Sequence, residues 1–391
     1  MKLGKHWIFA PILAAAVAAA LVVDARVDAR TTTPEAVISA APALLAGLTP
    51  GAPDLKSAGT LAFGPDNVLF IGDSQGAAVF AVDVHDEGKD AGAEPIKLQG
   101  IDAKIAGLLG TTADAVTIND LAVHPVSQNV YLAVSRGKGN DARPVLLRVT
   151  KKGDLEEVAL SGIPFSKVSI ANAPEPGSKT SWGGDKRRMT ITDLAFTDGE
   201  LLIAGLSNAE FASTLRRAPF PFQQTMAVNT LEIFHTSHDK YETQSPIESF
   251  LPFTISGKPS LVAGYGCAPI ASFSLADLKT KQHLRGTTLA ELGGGNRPLD
   301  MISYTKDGQR RLLIANSDRT LMSMTAKDID KATPMTKAVD AAYVSGGVPY
   351  LSIAEIGITQ LDDLNSGFVV VVQRDIEDGS LNLRSISKKW L

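Results

Sequence analysis

One phrase recurs along this chain and limits what it can fold into. Leu61-Ala-Phe-Gly-Pro-Asp-Asn-Val-Leu-Phe-Ile-Gly-Asp-Ser74 returns as Leu121-Ala-Val-His-Pro-Val-Ser-Gln-Asn-Val-Tyr-Leu-Ala-Val-Ser135. It returns again as Leu194-Ala-Phe-Thr-Asp-Gly-Glu-Leu-Leu-Ile-Ala-Gly-Leu-Ser207, and as Met301-Ile-Ser-Tyr-Thr-Lys-Asp-Gly-Gln-Arg-Arg-Leu-Leu-Ile-Ala-Asn-Ser317. Each copy is a short apolar strand, a turn containing Gly, Pro, Asp or Asn, and a second apolar strand. A lone hairpin cannot bury both of its faces, so repeated hairpins must pack against one another.

The spacing divides the chain into copies at about 58–101, 118–162, 190–236, 247–292, 296–340 and 345–391. Repeats of about 45 residues suit four-stranded units arranged radially. The expected fold is all-β: a six-bladed β-propeller of four-stranded antiparallel blades. Seven blades are the alternative, if the C-terminal region and the segment near 229–255 conceal one more. In the first copy the strands are expected at 60–63, 68–72, 77–84 and 95–98. The run Val369-Val-Val-Val372 has no alternation and predicts a strand buried on both faces. The domain reading is a leader over 1–25, a linker over 26–57 with a short helix at 34–48, and the propeller over 58–391.

Of the 391 residues, 44% are hydrophobic and 20% charged, with a net charge of −4. This balance supplies no basic stripe, which argues against a nucleic-acid partner. Lys2 and Lys5 precede an apolar run from Trp7 to Val23, the pattern of a secretory leader, with cleavage expected after Ala20, Ala25 or Ala29. The expected location is periplasmic or secreted. An uncleaved anchor is the alternative, and the membrane would then be touched through this segment alone. Cys267 is the only cysteine, so no intrachain disulfide can form.

The phrase beginning at Leu61 resembles the blade core of bacterial NHL-repeat and gluconolactonase-like propellers. The likeness covers roughly 58–391 as a blade pattern. It implies a divalent metal at the top of a central channel, held by acidic and amide side chains. Asp73, Asn208, Asp300 and Asn316 are the candidate ligands, and calcium is the candidate ion.

Blade geometry ranks the remaining candidates. Starts of first strands and ends of second strands converge on one rim, the upper mouth. The starts read Asn119-Asp120, Thr192-Asp193, Leu299-Asp300 and Asp362-Asp363. The ends contribute Asp73, Arg136, Asn208, Cys267, Asn316 and Arg374. Such a polar ring either faces a ligand or uses its repeated Asp to accept backbone N–H groups between blades. Arg297 follows Gly293-Gly-Gly295 and either points into the channel at an anion or pairs with Asp300.

Two insertions are expected on the same rim: 162–189, with Trp182, Arg187 and Arg188, and 207–224, with Phe211, Arg216, Arg217, Phe220 and Phe222. Their aromatic and basic content suits gripping a partner, or the two pack together as a lid. His235-Thr-Ser-His238 has a metal-like spacing but reads as a surface turn. Cys267 reads as a buried thiol or a reactive one, and His85 and His124 as exposed turn residues. The Ser-nucleophile elbow, the zinc-protease helix motif and the EF-hand loop are all missing. The leading functional expectation is an exported propeller binding a protein or small molecule at its upper mouth. The alternatives are a metal-dependent hydrolase of the lactonase type and a quinoprotein-like redox activity.

Overall fold

Three hairpins turn on two residues with left-handed backbone: Asp198-Gly199, Ser256-Gly257 and Asp307-Gly308. The flanking pairs Thr197–Glu200, Ile255–Lys258 and Lys306–Gln309 close directly across them. Two consecutive positive φ angles match the right-handed twist of the strands on either side, so Asp-Gly and Ser-Gly here set hairpin register.

The computed structural model describes residues 45–89, 92–339 and 343–391. The expected leader, and the linker and helix up to residue 44, lie outside these residues. Among the described residues no helix is long and apolar enough to cross a membrane. The strands form six sheets, antiparallel except where His283–Arg285 joins Ala227–His235 in parallel, and six apolar clusters fill the spaces between successive sheets. The fold is a six-bladed β-propeller.

The innermost strands of the blades are Leu61–Phe63, Val116–Val123, Asp193–Thr197, Ile247–Ile255, Pro298–Lys306 and Ile358–Asp363. Their neighbour contacts give the order around the ring as first, third, fourth, fifth, sixth and second blade, then back to the first. The second blade is thus out of sequence order. After Ala78–Asp83 the chain leaves the first blade and adds Lys97–Leu98 to the outer edge of the sixth. It then passes through the helix Ile101–Leu109 and builds the second blade. It finally returns to complete the first blade with Ile163–Ser169. The expected fourth strand at 95–98 therefore belongs to another blade, and part of the expected insertion 162–189 is a blade strand. Thr49–Gly51 pairs with Ile163–Ser169 as a further edge strand.

Ile101, Ile105, Ala106 and Leu109 on the helix join the core between the sixth and second blades. Val369 to Val372 are all fully buried. Val369 and Val371 enter the core shared with the fifth blade, while Val370 and Val372 enter the core shared with the second. A strand between two neighbours has no solvent face, hence the unbroken valine run.

The exchange is testable because Leu98 and Leu383 are cross-strand partners, and opposed antiparallel residues lie within disulfide reach, roughly 4.5–5.5 Å between Cα atoms. In a Cys267→Ser background, Leu98→Cys with Leu383→Cys is expected to crosslink on oxidation, shifting gel mobility. A chain whose fourth strand of the first blade were 95–98 would leave both thiols free to an alkylating reagent.

Candidate channel site

The inner strands align through their pairing with the second strands. Asp120 faces Ala133, Asp193 faces Ala204, Ser249 faces Gly264, Asp300 faces Ala315 and Gln360 faces Val372. Thr60 occupies the matching place in the first blade, where its carbonyl accepts the Gly72 N–H at 2.8 Å. In four blades the ladder is irregular immediately before this residue, between 118 and 120, 247 and 249, 298 and 300, and 358 and 360. Bulges re-aim side chains at the rims of closed sheets, and here they fall immediately before Asp120, Ser249, Asp300 and Gln360. In ring order the six positions read Thr60, Asp193, Ser249, Asp300, Gln360, Asp120, so carboxylates alternate with neutral oxygen-bearing side chains.

Each of the three aspartates spans a blade junction. Asp120 accepts the N–H of Leu121 and, from the next blade, that of Leu61, both at 2.7 Å. Asp193 does the same for Leu194 (2.7 Å) and Phe250 (2.6 Å), and Asp300 for Met301 and Leu361 (2.7 Å each). Asp362, two residues beyond Gln360, accepts from Asp363 (2.6 Å) and from Val123 of the second blade (2.7 Å). Of the two roles open to the repeated Asp, the structure shows junction bonding directly.

The same aspartates line a channel of about 370 Å³, with Phe63, Phe196, Phe250 and Met301 in its wall. Burial raises the carboxyl of Asp193 to about 7 against its backbone hydrogen bonds, and raises Asp362 to about 7 in the same way. Asp120 and Asp300 are pushed well up, first by burial. Asp300 adds repulsion at Asp120, and Asp193 and Asp362 add it at Asp300. The neutral positions hold unmet capacity: Thr60 Oγ1, Ser249 Oγ and Gln360 Oε1 are buried atoms without a hydrogen-bond partner. Ser249 is 2% exposed, and its hydroxyl lies close enough to Asp193 to favour the ionised carboxylate.

The upper-mouth candidates are engaged separately. Asp73 is buried and accepts from Lys56 N, Ser57 N, Ser57 Oγ and Gly76 N, each at 2.8 Å. Asn316 takes the Asn296 amide at 2.8 Å and donates to the carbonyls of Ile314 and Thr320. Asn208 is exposed in the loop after Glu200–Leu206. Arg136 reaches the Gly110 carbonyl at 3.4 Å, and Arg374 that of Gly379 at 2.7 Å. Arg297 pairs with neither the channel nor Asp300: its guanidinium forks onto Glu248 at 3.2 and 2.7 Å, joining the fifth blade to the fourth.

The expected loop 207–224 contains a regular strand, Ser213–Pro219. Arg216 is 1% exposed, with its guanidinium on the carbonyls of Thr190 and Leu206 and burial pulling it down to about 10. Arg217 forks onto Glu200. Because this strand descends from the upper mouth, Phe220 and Phe222 emerge at the opposite face, packed on Phe70. Trp182 is 56% exposed in the other insertion, whose Arg187 bonds the Gln75 and Pro174 carbonyls on the upper side. The two segments therefore form no common grip. His85 is exposed as expected, but His124 is buried against Asn67 and Ser127.

No protein-family model matches the chain, and no curated protein matches it. Solved structures similar to it include a chain of the mitotic checkpoint complex, at 11% identity over 96% of this chain and 99% of that one, with a TM-score of 0.35. The Swd1 β-propeller domain of Myceliophteria thermophila is 11% identical over 84% and 83%, with a TM-score of 0.36. A Thermus thermophilus protein provisionally described as a glucose dehydrogenase is 13% identical over 87% and 99%, with a TM-score of 0.30. Likeness at this level says nothing about chemistry.

The raised carboxyls carry a signed consequence. Asp193 and Asp362 titrate near 7 in the fold against an ordinary value of 3.8. Between these values the fold keeps protons that the unfolded chain has lost, so this contribution to stability falls as pH rises. Urea midpoints of Asp193→Asn and Asp362→Asn are expected to depend less steeply on pH between about 4 and 7 than that of the parent. Parallel slopes would show that the carboxyls ionise normally.

Proposed function

We propose that this chain is a ligand-binding propeller whose channel receives a compact cationic group from the upper mouth, with calcium as the test ion. The observation that supports this reading is the set of buried carboxylates from four blades, Asp120, Asp193, Asp300 and Asp362, that line the channel. Each carboxylate has about four acceptor sites, of which backbone N–H groups use two. The rest offer the all-oxygen surroundings that hard cations prefer. The leader-like N-terminus supports export, and the work of such a protein would then lie outside the cytoplasmic membrane.

The reading moves the site from the upper rim to the bore. Asp300 is common to both. Asp73 and Asn316 already have protein partners, so the lactonase-type arrangement gains no support from them. Trp182 stands exposed in the insertion on the upper side and suits contact with whatever carries the cationic group.

A cation must displace the protons held on the raised carboxyls, so binding is expected to tighten with pH. Calcium is expected to raise the melting temperature more at pH 8 than at pH 6, with proton release seen by calorimetry in buffers of different ionisation enthalpy. Asp300→Asn is expected to weaken binding at least 10-fold. Absence of a calcium-dependent shift at pH 8 would reject calcium, and an unchanged response in Asp300→Asn would place the ion elsewhere.

A further inference from the structure

The fourth strand of the third blade, Ala227–His235, continues past the upper end of its neighbour and folds back as Lys240–Glu242. This hairpin stands beside the turn between the second and third strands of the fourth blade, where Cys267 sits with φ 59°. Ser237 Oγ reaches the Cys267 carbonyl at 3.3 Å and ties the two turns together. One nitrogen of His235, one of His238 and the Cys267 sulfur all lie within 4.8 Å of one another. Residues that read separately as a surface turn and a lone thiol are thereby brought into one cluster.

Glu242 organises it. Its Oε2 meets His235 Nδ1 at 2.5 Å, its Oε1 meets His238 Nδ1 at 2.9 Å, and Lys240 Nζ lies 3.2 Å from Oε1. With Nδ1 of both rings engaged by this carboxylate, Nε2 is the nitrogen each imidazole has left for another partner. His235 is 1% exposed, and its Nε2 is buried without any partner. A buried polar atom with nothing to bond is costly. Here it lies beside another imidazole and a thiol, with the His238 side chain 42% exposed as a way in.

The geometry points to a transition-metal site formed by His235, His238 and Cys267, with Glu242 as the carboxylate behind both imidazoles and a fourth position open to water. Two imidazoles and a thiolate suit zinc or copper and disfavour calcium or magnesium. In a tetrahedral zinc site such ligand atoms are about 3.3–3.6 Å apart, as follows from Zn–N and Zn–S bonds of about 2.0–2.3 Å. Separations of up to 4.8 Å close to this range through a small movement of His238, the exposed member of the set. The carboxylate–histidine arrangement is the one that orients metal-bound imidazoles and increases their basicity. The donor set differs from that of the channel, so the two sites are independent.

Cobalt(II) is the direct probe. The full chain, stripped with chelator and kept reduced, is expected to bind one cobalt ion with a near-ultraviolet thiolate-to-cobalt band and strong tetrahedral visible bands, both abolished by zinc. Cys267 is the only cysteine, so the thiolate band reports on this site alone. Cys267→Ser is expected to abolish it. His238→Ala, at an exposed position, is expected to weaken binding at least 10-fold, and Glu242→Gln by about 10–100-fold, with unfolding midpoints confirming that the variants fold. Failure of the parent to bind cobalt or zinc stoichiometrically, or binding without the thiolate band, would overturn the assignment. So would unchanged affinity in both Cys267→Ser and His238→Ala.

Discussion

The ring depends on a carboxylate that accepts one N–H from its own strand and one from the blade beside it. At the inner edge of a propeller the first strands are first neighbours to empty space, so N–H groups on that side have no ladder partner. A buried N–H without an acceptor costs about 1–3 kcal/mol. Asp120, Asp193 and Asp300 meet this need and join the blades in pairs: second to first, third to fourth, fifth to sixth. The sixth blade repeats the device through Asp362, and different polar contacts close the other two junctions. Asp362 and Gln360 reach the second blade from the sixth. Ser74 exchanges hydrogen bonds with Ile191 between the first and third, and Arg297 with Glu248 joins the fifth to the fourth.

This solution concentrates negative charge where little water reaches. Six aspartates would repel one another severely, and none would leave the N–H groups orphaned. The channel holds an intermediate number: Asp120, Asp193, Asp300 and Asp362 line it, while the matching positions of the first and fourth blades carry Thr60 and Ser249. Even so, burial and mutual repulsion outweigh the backbone hydrogen bonds and push the Asp120 and Asp300 carboxyls well up. The same groups thus staple the blades and leave the bore ready to exchange protons for a cation. A structural and a binding role differ here only in which lone pairs are counted.

What was legible in the sequence follows from range. Hairpins depend on nearby residues, so the repeat phrase, the turns and the doubly buried valine strand could be read directly. The blade exchange could not, because the short strand Lys97–Leu98 is chosen by an edge nearly 300 residues away, and nothing local distinguishes its partner. Segment 207–224 was misread for a different reason. Its arginines break the apolar pattern of a strand, yet Arg216 is accommodated inside by two backbone carbonyls and Arg217 by Glu200. The repeated Asp residues were visible, and their two possible uses could be stated. Which blade each one reaches needed the ring order.

The histidine–cysteine cluster shows the same limit from the functional side. The spacing of His235 and His238 suggests a ligand pair only when a third donor is known, and Cys267 comes from the next blade. The blade junction supplies that donor, and the hairpin overhang lifts both imidazoles above the ladder to meet it. Metal chemistry then separates the two sites without any further device. Oxygen donors in the bore favour hard cations, while nitrogen and sulfur at the rim favour borderline and soft ones. An ion at the rim would also add a covalent-strength link between the third and fourth blades, a junction that Asp193 already spans at the axis. One blade pair would then be fixed at both its inner and its outer edge, and the rim above it would be the most rigid part of the upper face.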